Sequence, residues 1–394
     1  MKKTNLSMVV LCSVLLYGGI TSDGGIFFTE AEAAGQKDIQ QVSVQQATAI
    51  VDPNVKTAVN KKGVFTCATL GEALQQIAKE KASSAIILLH PGVYREKVII
   101  EQPNLTLLGT GKNAAVTTIV FNNAEGTPVG AGDVQSEGQS TYVMDCATVM
   151  VTDKARNFQA QNLTFANDFA TEKARAEGRM KSVQAFAIRD EADQSSFWKC
   201  RFIGRQDTLY ANVGRQYYKD CYIEGDIDFI FGGAAAVFDN CEIRSLDKTG
   251  KSKGYVTAPS TLKQEKGYLF YHCHLTSDFQ FPDKGMLGRP WHPSSEKRLV
   301  NSAATFRECQ IDMPIGEKAW DSMANKYGVF QPEDNRLYEY KNTGDGAVQS
   351  TNRRQLTEDE AVNYTVAAFL GDWTPKQSVI KIKNESEEIA DEKK

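Results

Sequence analysis

The sequence predicts an all-β protein: a single-stranded right-handed parallel β-helix, closed by a short N-terminal capping helix. The first observation is a local pattern of an aromatic residue, two residues, a Cys, one residue and an apolar residue. It recurs at 197–202, 218–223, 238–243, 270–275 and 306–311. The second is its spacing. Cys200, Cys221, Cys241, Cys273 and Cys309 follow one another at 21, 20, 32 and 36 residues. A base period of about 20 with short strands is the mark of a solenoid. A short strand cannot bury its apolar face alone, and stacking coil on coil buries a continuous core. Residues 158–163 read as a sixth copy with Gln161 at the Cys position. A β-sandwich with accidental Cys spacing would not repeat the same offsets six times.

From the N-terminus, Lys2 and Lys3 precede an apolar run from Met8 to Tyr17. The run is too short to span a bilayer and fits the h-region of an export signal. Ala31-Glu32-Ala33 offers an A-x-A cleavage site, so residues 1–33 are expected to be removed and the protein to be secreted or periplasmic. Cys12 follows Val9-Val10-Leu11, without the small residues a lipoprotein site prefers. No later run is apolar enough for a transmembrane segment. Residues 34–60 read as a polar lead-in and 61–375 as the β-helix domain. Within it, Thr69-Leu70-Gly71-Glu72 is a capping box, followed by an apolar stripe of Leu70, Ala73, Leu74 and Ile77. This predicts a helix that closes the open end of the solenoid. Strands are expected at 85–89 and 97–100, around a turn at Gly92, and at 104–108. The charged stretch 376–394 has no apolar stripe and reads as a disordered tail.

Composition excludes several functions. Lys and Arg number 45 against 49 Asp and Glu, so no basic excess points to nucleic acid. There are four His and no C-x-x-C pair, which removes the usual zinc spacings. In His272-Cys273-His274 neighbouring side chains point to opposite faces, so neither a metal nor a cofactor is expected. No G-x-S-x-G is present for a serine nucleophile.

The repeat brings two carboxylates together. Asp207 follows Cys200 by seven residues and Asp228 follows Cys221 by seven, so they share a position on adjacent coils. Neighbouring strands lie about 4.8 Å apart, which sets the pair side by side. Adjacent carboxylates repel, so one tends to keep a proton while the other stays ionised, giving an acid and a base or nucleophile. A solvated or Lys-paired Asp pair is the alternative. Around them stand Gln184-Ala-Phe-Ala-Ile-Arg189, Gly204-Arg-Gln206-Asp207-Thr-Leu-Tyr210, Gly225-Asp226-Ile-Asp228-Phe-Ile-Phe231-Gly232 and Gly288-Arg289-Pro-Trp291. Amides can donate to an oxyanion, a guanidinium can hold a carboxylate, and aromatic faces can stack on sugar rings.

These motifs resemble the pectin methylesterases, or pectinesterases, carbohydrate esterases built on a right-handed β-helix, and are closest to the bacterial ones. Gly92-Val-Tyr94-Arg-Glu96, 254–261 and Gly371-Asp-Trp-Thr-Pro375 are similar to further family segments, so the resemblance runs from about residue 60 to 375. It implies hydrolysis of the C6 methyl esters of pectin to pectate and methanol, by a chain acting as a monomer without metal or cofactor. Asp228 would be the nucleophile, and Asp207 the acid for methanol departure and the base that activates water. Gln206 and Gln184 would donate to the oxyanion, and Arg289 would orient Asp228. Tyr210, Phe231 and Trp291 would line the sugar cleft, with Thr141 as a further substrate contact. The chain departs from the family at Asp226, where a small residue is usual. Residues i and i+2 share a strand face, so Asp226 is expected to reach the cleft or compete for Arg289.

The pair Cys221 and Cys241, one coil apart, falls within disulfide range, with Cys200 as a competitor in the same column. Export permits oxidation, and the resemblance also favours Cys221–Cys241. Two other functions remain on the same fold. A depolymerase would use the carboxylates as a glycosidase does, or gather acidic groups around calcium as a lyase does. A non-catalytic sugar-binding β-helix would need a broken catalytic set.

Overall fold

The computed structural model describes residues 39–42, 46–61, 63–127, 145–178, 183–247, 253–281, 284–294 and 300–380. Three sheets of twelve, eight and seven strands run the length of this part of the chain. One coil shows the rule. Arg215–Lys219 lies in the largest sheet, Tyr222–Gly225 in the second and Ile227–Gly232 in the third. Ala235–Asp239 then re-enters the largest sheet and pairs in parallel with Arg215–Lys219. Three strands per coil and parallel pairing between coils make this the parallel β-helix that the repeat predicts.

The repeat is visible inside it. Phe197, Tyr218, Phe238, Phe270 and Phe306 stack face to face, with successive ring centroids 4.8, 4.7, 4.7 and 4.2 Å apart. That spacing is close to the distance between neighbouring strands, so one aromatic per coil fills the core without a gap. Three residues on, the cysteines form a second inward column. The residue before each Cys has positive φ: Lys199, Asp220, Asn240, His272 and Glu308, at 51–54°. This left-handed residue makes the corner between the largest and second sheets.

The sixth copy is displaced by two residues from the sequence reading. Ala160 pairs with Phe197, and Phe165 with Phe202. Leu163, fully buried, therefore holds the Cys position, and Asn162 at φ 56° is the corner residue. Gln161 lies on the preceding strand. The slip leaves Phe158 and Leu163 facing inward in either register, so the apolar pattern alone cannot detect it.

The expected Cys221–Cys241 disulfide is also corrected, because both are free buried thiols. The thiols of Cys221, Cys241, Cys273 and Cys309 donate to the carbonyls of Phe197, Tyr218, Phe238 and Phe270 at 3.2–3.5 Å. Side chains in register on parallel strands keep the strand spacing of about 4.8 Å, whereas a disulfide draws Cβ atoms to about 3.8 Å.

The capping helix is Leu70–Glu80, with the Thr69–Glu72 capping box formed in both directions. It buries Leu70, Ala73 and Ile77, and packs Leu74 against the core at the end of the coils. Glu96 accepts from the Leu70 and Gly71 N–H groups at 2.8 and 2.9 Å, and Tyr94 donates to the Val51 and His90 carbonyls. The Gly92-to-Glu96 segment is thus structural, and Gly92–Arg95 forms a strand rather than a turn. The solenoid also takes in part of the expected lead-in, since Ala49–Val51 pairs with both Val64–Cys67 and Ala85–Leu89. Gln377–Ile380, at the start of the expected tail, pairs with Ile39–Val42. The signal segment, residues 381–394 and Thr141 lie outside the described residues.

Candidate active site

Two short sequences with the same plan shape the site. Gly204 stands three residues before Asp207, and Gly225 three before Asp228. Asp207 and Asp228 have φ of 63° and 50°, a conformation Asp tolerates better than most residues. The chain then folds back so that the following side chain lies on the glycine. A Cβ on Gly204 would meet Thr208 at 2.6 Å, and one on Gly225 would meet Phe229 at 2.2 Å. Gln206 bridges Ile227, and Leu209 pairs with Ile230. The two aspartates are therefore in register on adjacent coils, as the seven-residue offset predicts. Both are nearly closed off from solvent, at 8% and 6% exposure.

Their surroundings differ. Arg289 donates to both oxygens of Asp228, Nε to Oδ1 at 2.9 Å and Nη2 to Oδ2 at 2.6 Å. Tyr255 supports the guanidinium from its face at 4.2 Å, and its hydroxyl donates to Asp321. Asp207 instead has burial first, then the charge of Asp228, pushing its carboxyl well above the usual range, with Arg289 opposing. The pair is thus divided into one carboxylate gripped by a guanidinium and one carboxyl that favours its proton.

Gln206 precedes Asp207. The Ala185 N–H donates to the Gln206 carbonyl, which sets Gln184 on the preceding coil. Among the described residues, Oε1 of Gln184 is buried without a hydrogen-bond partner. Such an atom is costly unless a ligand satisfies it. Tyr210 and Phe231 stack at 4.3 Å, and Trp291 leans on both at 6.2 and 5.7 Å. With Phe186, Cys146, Ala147 and Ala258 they make a small apolar cluster separate from the main core. Tyr210 and Phe231 are only 5% and 4% exposed, so they form the floor, and half-buried Trp291 offers the accessible face.

Asp226 does not reach the cleft, contrary to the sequence reading. It is fully buried and bound by Arg175, Nη1 to Oδ2 at 2.5 Å and Nη2 to Oδ1 at 3.1 Å, with Arg205 Nε 3.4 Å away. The i, i+2 rule holds for regular strand. Here the positive φ of Asp228 and a register shift between Ile227 and Ile230 rotate the two side chains apart. Arg175, Phe186 and Tyr255 are the site residues that sequence reasoning missed. Phe186 lay inside a quoted motif, whereas Arg175 sits on the short helix Thr171–Glu177 with no repeat to flag it.

A profile of the pectinesterase family matches residues 56–372. Pectinesterase A of Dickeya chrysanthemi is 34% identical over 359 residues, 84% of this chain and 94% of that protein. Pectinesterase 31 of Arabidopsis thaliana is 32% identical over 321 residues, 79% of this chain and 91% of its own. Among solved structures, a pectin methylesterase in complex with a hexasaccharide superposes with a TM-score of 0.72 at 32% identity, covering 84% of this chain and 98% of the other. Pectin methylesterase PemA from Erwinia chrysanthemi gives 0.70 at 30% identity, with the same coverage.

Proposed function

The chain belongs to the pectinesterase family, and from that premise we propose that Asp228 is the nucleophile and Asp207 the acid–base of its reaction. It is a carboxylic ester hydrolase that converts the methyl esters of pectin to pectate and methanol. An oxygen of Asp228 attacks the C6 carbonyl, and the oxyanion that forms accepts from the amides of Gln206 and Gln184. The C–O bond to the methoxyl group then breaks, and methanol leaves with the proton of Asp207. The resulting carboxylate of Asp207 takes a proton from water. That water attacks C6, frees Asp228 and leaves the pectate carboxylate.

The grip of Arg289 on Asp228 alone supports this division of roles. A bidentate guanidinium fits an ionised carboxylate and leaves Asp207 as the proton carrier. Trp291, over the Tyr210–Phe231 floor, is the sugar contact, and Thr141 remains a proposed one. Every proposed group comes from one chain, so the site needs no second copy. The apolar run after Lys2 and Lys3 supports export to the periplasm or medium. Among the described residues, no helix is long and apolar enough to cross a membrane.

The test is product analysis of purified enzyme on highly methylated pectin. Methanol released without new reducing ends or unsaturated ends is expected. Chain scission without methanol would favour the depolymerase reading.

A further inference from the structure

Four charged side chains lie behind the site. Arg175 bridges Asp226 and Glu172, meeting the Glu172 carboxylate at 2.5 Å, while Arg205 approaches the same two acids at 3.4 and 3.3 Å. Two guanidiniums and two carboxylates balance in charge around the fully buried Asp226. Among the described residues, the Arg175 guanidinium makes one hydrogen bond outside this group, from Nη2 to Oε1 of Gln206 at 3.2 Å.

That contact decides which way the amide faces. Arginine only donates, so the atom it meets must be the carbonyl oxygen of Gln206. The NH2 end is then turned away from Arg175 and free to donate elsewhere. A flipped amide would set NH2 against a guanidinium and turn a carbonyl oxygen towards an oxyanion, which is repulsive on both sides. The guanidinium cannot yield, because its position is fixed by the buried carboxylate of Asp226.

We propose that Arg175, anchored by Asp226, is a positioning residue for ester hydrolysis that locks the Gln206 amide in the donor orientation. The proposal rests on the reading of Gln206 as an oxyanion donor. It also gives a role to Asp226, which the sequence had set in competition for Arg289.

The test is a double-mutant cycle in methanol release. Arg175→Met with Asp226→Asn removes the clamp without stranding a buried carboxylate. We expect kcat to fall about tenfold, below the 100-fold or more of losing an oxyanion donor outright, with KM within about twofold. In a Gln206→Ala background the same double change is expected to cost nothing further. Additive losses would overturn the proposal, because Arg175 would then act elsewhere. If Gln206→Ala turns over like the parent, the reading of Gln206 itself fails. Full kcat in the double variant beside a slow Gln206→Ala overturns the positioning role alone. Arg175→Lys covers the case in which the double variant does not fold. Its single ammonium can pair with Asp226 but cannot span carboxylate and amide, so slow turnover with an unchanged melting temperature is expected. Parent-like turnover of Arg175→Lys would also overturn the proposal.

Discussion

Arg289 reaches from the end of strand Gly285–Gly288 to Asp228, two strands away in the same sheet, and holds both its carboxylate oxygens. Asp207, in register with Asp228, has no such grip and is governed by burial and by its neighbour's charge. Two identical residue types on adjacent coils thus acquire opposite chemistry from what the third sheet brings to each.

Replacing either aspartate should abolish turnover without unfolding the protein. Asp228→Asn loses the nucleophile, and Asp207→Asn loses the proton donor but keeps a polar amide. We expect each to lose at least about 100-fold in kcat, with near-native melting temperatures and retained pectin binding. An active Asp228→Asn would show that the nucleophile lies elsewhere.

Proton affinity at Asp207 should depend on Asp228. Burial is the main cause that raises it, and the Asp228 charge is the second. Asp228→Asn removes that second cause, so the Asp207 carboxyl should titrate at lower pH in the variant. Carbon-13 NMR of labelled aspartate measures this directly. In the parent enzyme, the alkaline limb of the kcat profile should follow ionisation of Asp207, since an ionised Asp207 cannot protonate methanol.

Asp190 should make the fold less stable in alkali. It is fully buried, and burial raises its carboxyl from 3.8 to about 7, despite donors from the Ala192 N–H and the Ser195 hydroxyl. Below about pH 4 both folded and unfolded chains carry the proton, so there is no effect. Between pH 4 and 7 the unfolded chain ionises first and stability falls, and above 7 the penalty is complete. Asp190→Asn should therefore match the parent at pH 4 and exceed it by about 2–4 kcal/mol at pH 9. Urea unfolding at the two pH values decides it.

The cysteine column should need no oxidation. All seven described cysteines are free and buried. Dithiothreitol is expected to leave the melting temperature unchanged, and thiol reagents to label these cysteines only after denaturation. A Cys221–Cys241 peptide pair in non-reduced mass mapping would contradict this.

Much of the fold was legible because a solenoid repeats its signal. Aromatic, Cys and apolar residues return at fixed offsets, so stacking, the capping helix and the Asp207–Asp228 register follow from counting along the chain. The roles proposed for Gln184, Gln206 and Arg289 came instead from the resemblance to the pectinesterase family, since the repeat fixes only the aspartate pair. Counting failed where phase carries no cost. The coil at 158–165 slipped by two residues with Phe158 and Leu163 inward in either register, and only the pairing of Ala160 with Phe197 and of Phe165 with Phe202 fixes it.

The sequence by itself therefore determined the architecture, the paired carboxylates and the residues gathered near them. Tertiary structure alone decided which carboxylate faces which arginine. Asp226 and Asp228 are two residues apart, yet one is bound by Arg175 from a helix about fifty residues earlier and the other by Arg289 about sixty residues later. The cause is a single backbone reversal at Asp228, with φ of 50°, that breaks strand alternation. Periodicity in sequence assumes regular backbone, and at this turn the backbone is not regular.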